Sequence, residues 1–90
     1  MTIDEGAFAD CYQLTKVIIP ASVTKIGRGA FKGCTALERI EIANASNWYR
    51  TTDQVAWNNL SGGMVMGLSD PVKNAEFLAE KYITYYFYKT

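Results

Sequence analysis

Apolar and polar positions in the first half of the chain repeat with a period of 23 residues. Shifting the sequence by 23 places aligns apolar, glycine and cysteine positions, while the polar positions between them change freely. The aligned pairs are Ile3 and Ile26, Gly6 and Gly29, Ala7 and Ala30, Phe8 and Phe31, Cys11 and Cys34, Leu14 and Leu37, Val17 and Ile40, and Ile19 and Ile42. This pattern is typical of a solenoid, in which equivalent buried side chains of successive coils stack on one another.

The end of each repeat alternates with a period of two, which predicts a short strand. Pro20 should end the first of these strands because proline cannot donate a ladder hydrogen bond. The side chains expected to point into the stack are Val17, Ile19, Ile40 and Ile42, and those expected on the open face of the sheet are Lys16, Ile18, Arg39 and Glu41. A second short strand is predicted over residues 23–27. Residues 29–34 are interpreted as a single helical turn that ends at a glycine and buries Ala30, Phe31 and Cys34.

The repeat register is lost at about Asn44, and nine of the twelve aromatic residues lie beyond Ala45. We therefore divide the chain into two repeats at 1–43, the first incomplete, and an aromatic-rich module at 44–90 that packs with them as one structural unit. The elements predicted in this module are strands at 48–51 and 64–66, a helical turn or loop at 53–60, a turn at 61–63, a helix of about 11 residues that begins after Asp70, and a terminal strand at 83–89.

Residues 19–40 resemble the BspA-like leucine-rich repeats of bacterial surface proteins, whose pattern reads I-P-x-x-V-x-x-I-G-x-x-A-F-x-x-C-x-x-L. Two departures are that Ala43 replaces the proline expected after the second strand and that the first copy begins in mid-repeat at Ile3. The resemblance implies an α/β leucine-rich-repeat solenoid of short strands and single helical turns. It also implies an extracellular or cell-surface location and adhesion to host or matrix proteins.

The second half is also similar to the ends of such proteins, in Asn47-Trp48-Tyr49, Asp70-Pro71 and Tyr85-Tyr86. By resemblance, the chain is the last repeats of a longer protein, closed by an α+β C-terminal cap. The cap is expected because the last coil of a solenoid otherwise leaves its core open.

Composition narrows the possible functions of this 90-residue, 10.0 kDa chain. Nine basic residues balance nine acidic ones, which removes the electrostatic argument for binding nucleic acid or an anionic membrane. The absence of histidine excludes imidazole-based catalysis and most zinc sites. Residues 1–6 do not resemble a signal peptide, and no apolar run is long enough to span a bilayer. We expect a non-enzymatic protein with no metal, no cofactor and no membrane insertion.

Cys11 and Cys34 lie one repeat apart, so stacking would bring their Cα atoms within the range of a disulfide. Parallel side chains in stacked coils keep the Cβ atoms wider apart than a bridge prefers. Buried free thiols that act as small apolar groups are therefore favoured over a disulfide. Two cysteines without histidine make a weak metal site, and neither has a base to activate it as a nucleophile.

Three hypotheses of function remain. The first is a protein-binding or adhesion module that uses the open sheet face, because solenoids offer extended surfaces to macromolecules. The second is a carbohydrate-binding module whose aromatic platform comprises Trp48, Tyr49, Trp57, Tyr86 and Tyr88. The third is a purely structural cap. The open edge of the first repeat further predicts a homodimer through the N-terminal end.

Overall fold

The computed structural model describes all 90 residues, which form seven short strands and two helices. In chain order these are β1 (Thr2–Ile3), β2 (Lys16–Ile19), β3 (Lys25–Ile26), β4 (Arg39–Ile42), β5 (Trp48–Thr51), α1 (Gln54–Asn59), β6 (Met64–Met66), α2 (Pro71–Glu76), which continues as a π-helical turn (Phe77–Lys81), and β7 (Tyr86–Lys89). Strand β3 is shorter than predicted, whereas β5 and β6 have the predicted bounds.

Strands of the two repeats pair in parallel, each with its equivalent 23 residues away. Val17 pairs with Ile40 in the β2–β4 sheet, and Ile3 pairs with Ile26 in the β1–β3 pair. The rings of Phe8 and Phe31 stack with their centroids 5.3 Å apart and their planes 6° apart. This arrangement confirms that the sequence period is the step from one coil to the next.

The predicted helical turn at 29–34 is instead a succession of tight turns. The N–H groups of Lys32 and Cys34 donate to carbonyls three residues earlier, at 3.1 and 3.2 Å, without forming a continuous helix. Its carbonyls are used between coils: Phe8 N–H donates to Ala30 O at 2.8 Å and Asp10 N–H to Lys32 O at 2.7 Å. Backbone hydrogen bonds thus join the turns of the first coil to those of the second. The predicted burial of Ala30, Phe31 and Cys34 is confirmed.

Strand β7 joins the two halves of the chain. It lies between β3 and β5, antiparallel to both, in a five-stranded sheet of order β1-β3-β7-β5-β6. The predicted start of this strand at Ile83 is wrong, because α2 continues into the wider π-helical turn and residues 82–84 form a further turn. The helix begins as predicted, with the Asp70 carboxylate accepting from Val72 N–H at 3.0 Å.

One core runs through both halves of the chain. Its fully buried side chains include Ile19, Ile26, Phe31 and Ile40 from the repeats and Trp48, Leu68 and Phe87 from residues beyond Asn44. Strands β1 and β2 are edge strands, and Phe8 keeps 39% of its surface exposed. Self-association through this edge stays a prediction.

Asn74 connects α2 to the last repeat strand, a role that the sequence did not reveal. Its side chain is 1% exposed and its Nδ2 donates to Ile40 O at 2.9 Å and to Leu68 O at 2.7 Å. Arg39 and Ala43 donate their N–H groups to the first repeat. Because alternate residues of a parallel strand direct their backbone groups to opposite sides, the Ile40 carbonyl points away from β2. Asn74 therefore supplies a donor to a carbonyl of β4 that does not face β2.

Replacing Asn74 with Ala is expected to lower the free energy of unfolding by about 2 kcal/mol, because two buried carbonyls lose their donor. Asn58, which is exposed on α1, is the control, and Asn58→Ala should change stability by less than about 0.5 kcal/mol. Urea denaturation followed by circular dichroism measures both. Equal losses would show that α2 does not depend on the Asn74 amide.

Candidate functional site

The structure brings the four side chains predicted on the open sheet face into one patch. Lys16 lies beside Arg39 and Ile18 beside Glu41, as register partners of β2 and β4. Alternation along each strand directs these side chains to the face opposite Ile19 and Ile40, which are buried. We call Lys16, Ile18, Arg39 and Glu41 the sheet-face patch.

Charges in the sheet-face patch converge on Glu41. Its carboxylate oxygens lie 3.6 Å from Lys16 Nζ and 3.9 Å from Arg39 Nη2. All three side chains are substantially exposed, so each pair contributes no more than about 1 kcal/mol to stability. Two cations and one carboxylate leave the patch with one net positive charge.

Ile18 gives the sheet-face patch an apolar centre. It is 63% exposed although it lies within a strand. An exposed aliphatic side chain beside an arginine can bury surface against a partner while the charged groups set its orientation. The patch therefore combines an exposed apolar side chain with charged groups of both signs.

Four of the five side chains of the alternative aromatic platform lie inside the protein and not at its surface. Trp48 is 0% exposed and Tyr88 is 1% exposed. Trp57 and Tyr86 are also buried, and the half-buried ring of Tyr49 stacks on that of Tyr88 at 5.3 Å. The reason is that β7 is a central strand covered on both faces, which alternation within the strand could not reveal.

Polar atoms of three of these aromatic residues form hydrogen bonds inside the protein. Trp48 Nε1 donates to Asn44 O and Trp57 Nε1 donates to Phe87 O, both at 2.8 Å. The Tyr88 hydroxyl accepts from Gly63 N–H at 2.7 Å. These groups stabilise the fold and are not free to bind a sugar.

The two cysteines are free thiols stacked one coil apart. Cys34 is buried, and its Sγ donates to Phe8 O in the adjacent coil at 2.9 Å. Burial raises the pKa of the Cys34 thiol, which keeps it protonated and unreactive at neutral pH. No group of three or more cysteine, aspartate or glutamate side chains is arranged so that it could hold a metal ion.

A second polar feature lies where the turns of the two coils meet residues 83 and 84. It is an open depression of about 420 Å³ that contains the Glu5–Arg28 ion pair, in which Nη2 and Oε1 are 2.9 Å apart. The hydrogen bond to Glu5 raises the pKa of the Arg28 guanidinium. The ion pair joins Glu5 to Arg28, its repeat equivalent 23 residues later in the adjacent coil.

Comparison with known proteins gives one match. A family model described as "BspA type Leucine rich repeat region (6 copies)" matches residues 1–61, about two thirds of the chain. This span covers both repeats and continues through β5 and α1. No curated protein and no solved structure matches the chain. Neither helix of the structure has the length and apolar character needed to cross a bilayer.

Proposed function

Because the chain belongs to the BspA-type leucine-rich repeat family, we propose that it is a non-catalytic, protein-binding part of a cell-surface repeat protein. The binding site in this proposal is the sheet-face patch. The observation that carries it is the position of Ile18, a well-exposed aliphatic side chain between two cations and a carboxylate on an uncovered sheet.

Charge and size of the sheet-face patch define the partner that fits it. One net positive charge around an apolar centre favours a protein surface with an acidic side chain next to an apolar one. Stable complexes bury about 800 Å² per partner, more than four side chains on two short strands can provide. We therefore expect a weak interaction for the 90-residue chain and a stronger one where further coils extend the same sheet.

In this proposal, the C-terminal half closes the solenoid as a cap. Two contacts support this role: α2 packs on β4 through Asn74, and β7 pairs with β3. Both contacts bring C-terminal elements against strands of the second repeat, as a cap requires. The burial of the aromatic platform leaves the sheet-face patch as the better-supported binding surface.

The proposal predicts that Ile18→Asp and Arg39→Glu each weaken binding to an immobilised panel of extracellular-matrix and cell-surface proteins by about 10-fold or more. Val65 is the matched control, since it is β-branched, 74% exposed and located on the edge strand β6. Val65→Asp should leave binding unchanged. Biolayer interferometry measures the affinities, and circular dichroism checks that each variant is folded.

Two outcomes would contradict this function. Binding that survives both substitutions in the patch would place the site elsewhere, and an absence of binding to every protein of the panel would favour a purely structural role. A glycan array probed in parallel would contradict the proposal if the chain bound sugars and no proteins.

A further inference from the structure

An open groove lies between the last repeat and the C-terminal helix, and none of its lining residues belongs to the sheet-face patch. Its volume is about 370 Å³. The floor is formed by the apolar residues Cys34, Leu37, Ala75 and Ala79, which are buried or half-buried, with Val72 exposed at its side. The exposed residues Glu38, Glu76 and Glu80 line the same groove. We call this feature the acidic groove.

Spacing along the helix explains the shape of the acidic groove. Residues 72, 75 and 76 lie on one face of α2, and residues 79 and 80 of its π-helical continuation line the same groove. Two of them are alanines, whose small side chains leave space between the helix and Leu37 of the second coil. A depression with an apolar floor therefore stays open beside well-packed core.

The glutamates of the acidic groove form no salt bridge within the protein. The chain has five glutamates, and the three salt bridges of the structure involve only Glu5 and Glu41. All three of the others line this groove, and no basic residue lines it. The nearby Lys81 lies against aromatic rings, 5.4 Å from the centroid of Tyr82. The groove thus combines an apolar floor with three glutamates that form no salt bridge.

We propose that the acidic groove binds a segment of another protein in which one aliphatic side chain is flanked by Lys or Arg. The aliphatic group covers the alanines and Leu37, and the basic groups pair with the glutamates. Such complementarity chooses the partner and orients it, and it opposes acidic partners and nucleic acid. The sheet-face patch carries a net positive charge and the acidic groove a negative one, so the two sites favour different partners. This proposal therefore goes beyond the proposed function and does not depend on it.

The test uses the isotope-labelled 90-residue chain and the synthetic peptide acetyl-Gly-Lys-Leu-Lys-Gly-amide, titrated to millimolar concentration and followed by NMR. We expect the largest amide shift changes at Leu37, Val72 and Ala79. The double variant Glu76→Gln/Glu80→Gln should bind the peptide about 3- to 10-fold more weakly, with a smaller dependence on salt. Peptides with Glu in place of Lys, or Ser in place of Leu, should bind more weakly than the original.

A second double variant, Asp4→Asn/Glu5→Gln, changes the net charge equally at residues outside the groove and should bind the peptide like the unmodified chain. Ile18→Asp should also leave peptide binding unchanged, which separates this site from the sheet-face patch. Shift changes centred on another surface, or no binding at millimolar peptide, would overturn the proposal. An equal loss of peptide affinity in the two double variants, or equal affinity for the Glu-containing peptide, would also overturn it.

Discussion

Replacing Phe31 with Ala is expected to lower the free energy of unfolding by about 3–5 kcal/mol. The ring is 0% exposed and stacks on that of Phe8, so truncation leaves a cavity between the two coils. A chain of this size has a total stability of about 5–13 kcal/mol, and the variant would lose a large part of it. Urea denaturation monitored by circular dichroism measures the loss.

Phe8 is the matched control, because it occupies the same position in the first repeat but is 39% exposed. Phe8→Ala should cost roughly 1–2 kcal/mol, since less apolar surface is returned to water and solvent fills the space. If Phe31→Ala does not fold, Phe31→Leu provides a smaller loss for the same comparison with Phe8→Leu. Equal losses at the two positions would contradict the order of the coils, in which the second is interior and the first is terminal.

Replacing Gly27 with Ala is expected to lower the free energy of unfolding by about 3 kcal/mol. A Cβ at this position would lie 2.7 Å from Glu5 Cα and 2.8 Å from the Asp4 carbonyl carbon, and it would also meet Glu5 N. These are backbone atoms of the adjacent coil, which cannot rotate out of the way. The coils would have to separate where Gly27 N–H donates to Ile3 O at 2.7 Å.

Gly67 provides the control, because no atom lies within 4 Å of the Cβ it would acquire and its φ is not positive. Gly67→Ala should stabilise the protein slightly, by about 0.4–1 kcal/mol, by reducing the freedom of the unfolded chain. Thermal and urea denaturation distinguish the opposite signs of the two changes. A Gly27→Ala variant as stable as Gly67→Ala would show that the two coils are not packed at this distance.

The stacking, the sheet-face patch and the acidic groove suggest a division of roles along the chain. Phe31 and Gly27 hold the coils together, and strands β2 and β4 present Ile18 and its charged neighbours outward. The helix that covers the last coil then creates a second surface of opposite charge. Separate variants, Ile18→Asp for one surface and Glu76→Gln/Glu80→Gln for the other, allow each role to be measured alone.

The sequence by itself determined the repeat, its register and the sheet-face patch. In stacked coils, equivalent side chains lie on one another, so packing requires the same type of side chain at every 23rd position. The sequence period therefore predicts the pairing of Val17 with Ile40. The start of helix α2 could also be predicted from the sequence, because the Asp70 cap and Pro71 act locally on the backbone.

Only the tertiary structure decided what depends on contacts between distant segments. Alternation showed that Tyr86 and Tyr88 share a face of β7, but their burial follows from neighbours on both sides of that strand. The acidic groove joins residues 34–38 to residues 72–80, and the Asn74 amide finds Ile40 across 34 positions of sequence. Periodicity reports which side chains share a face, whereas burial depends on which element packs against that face.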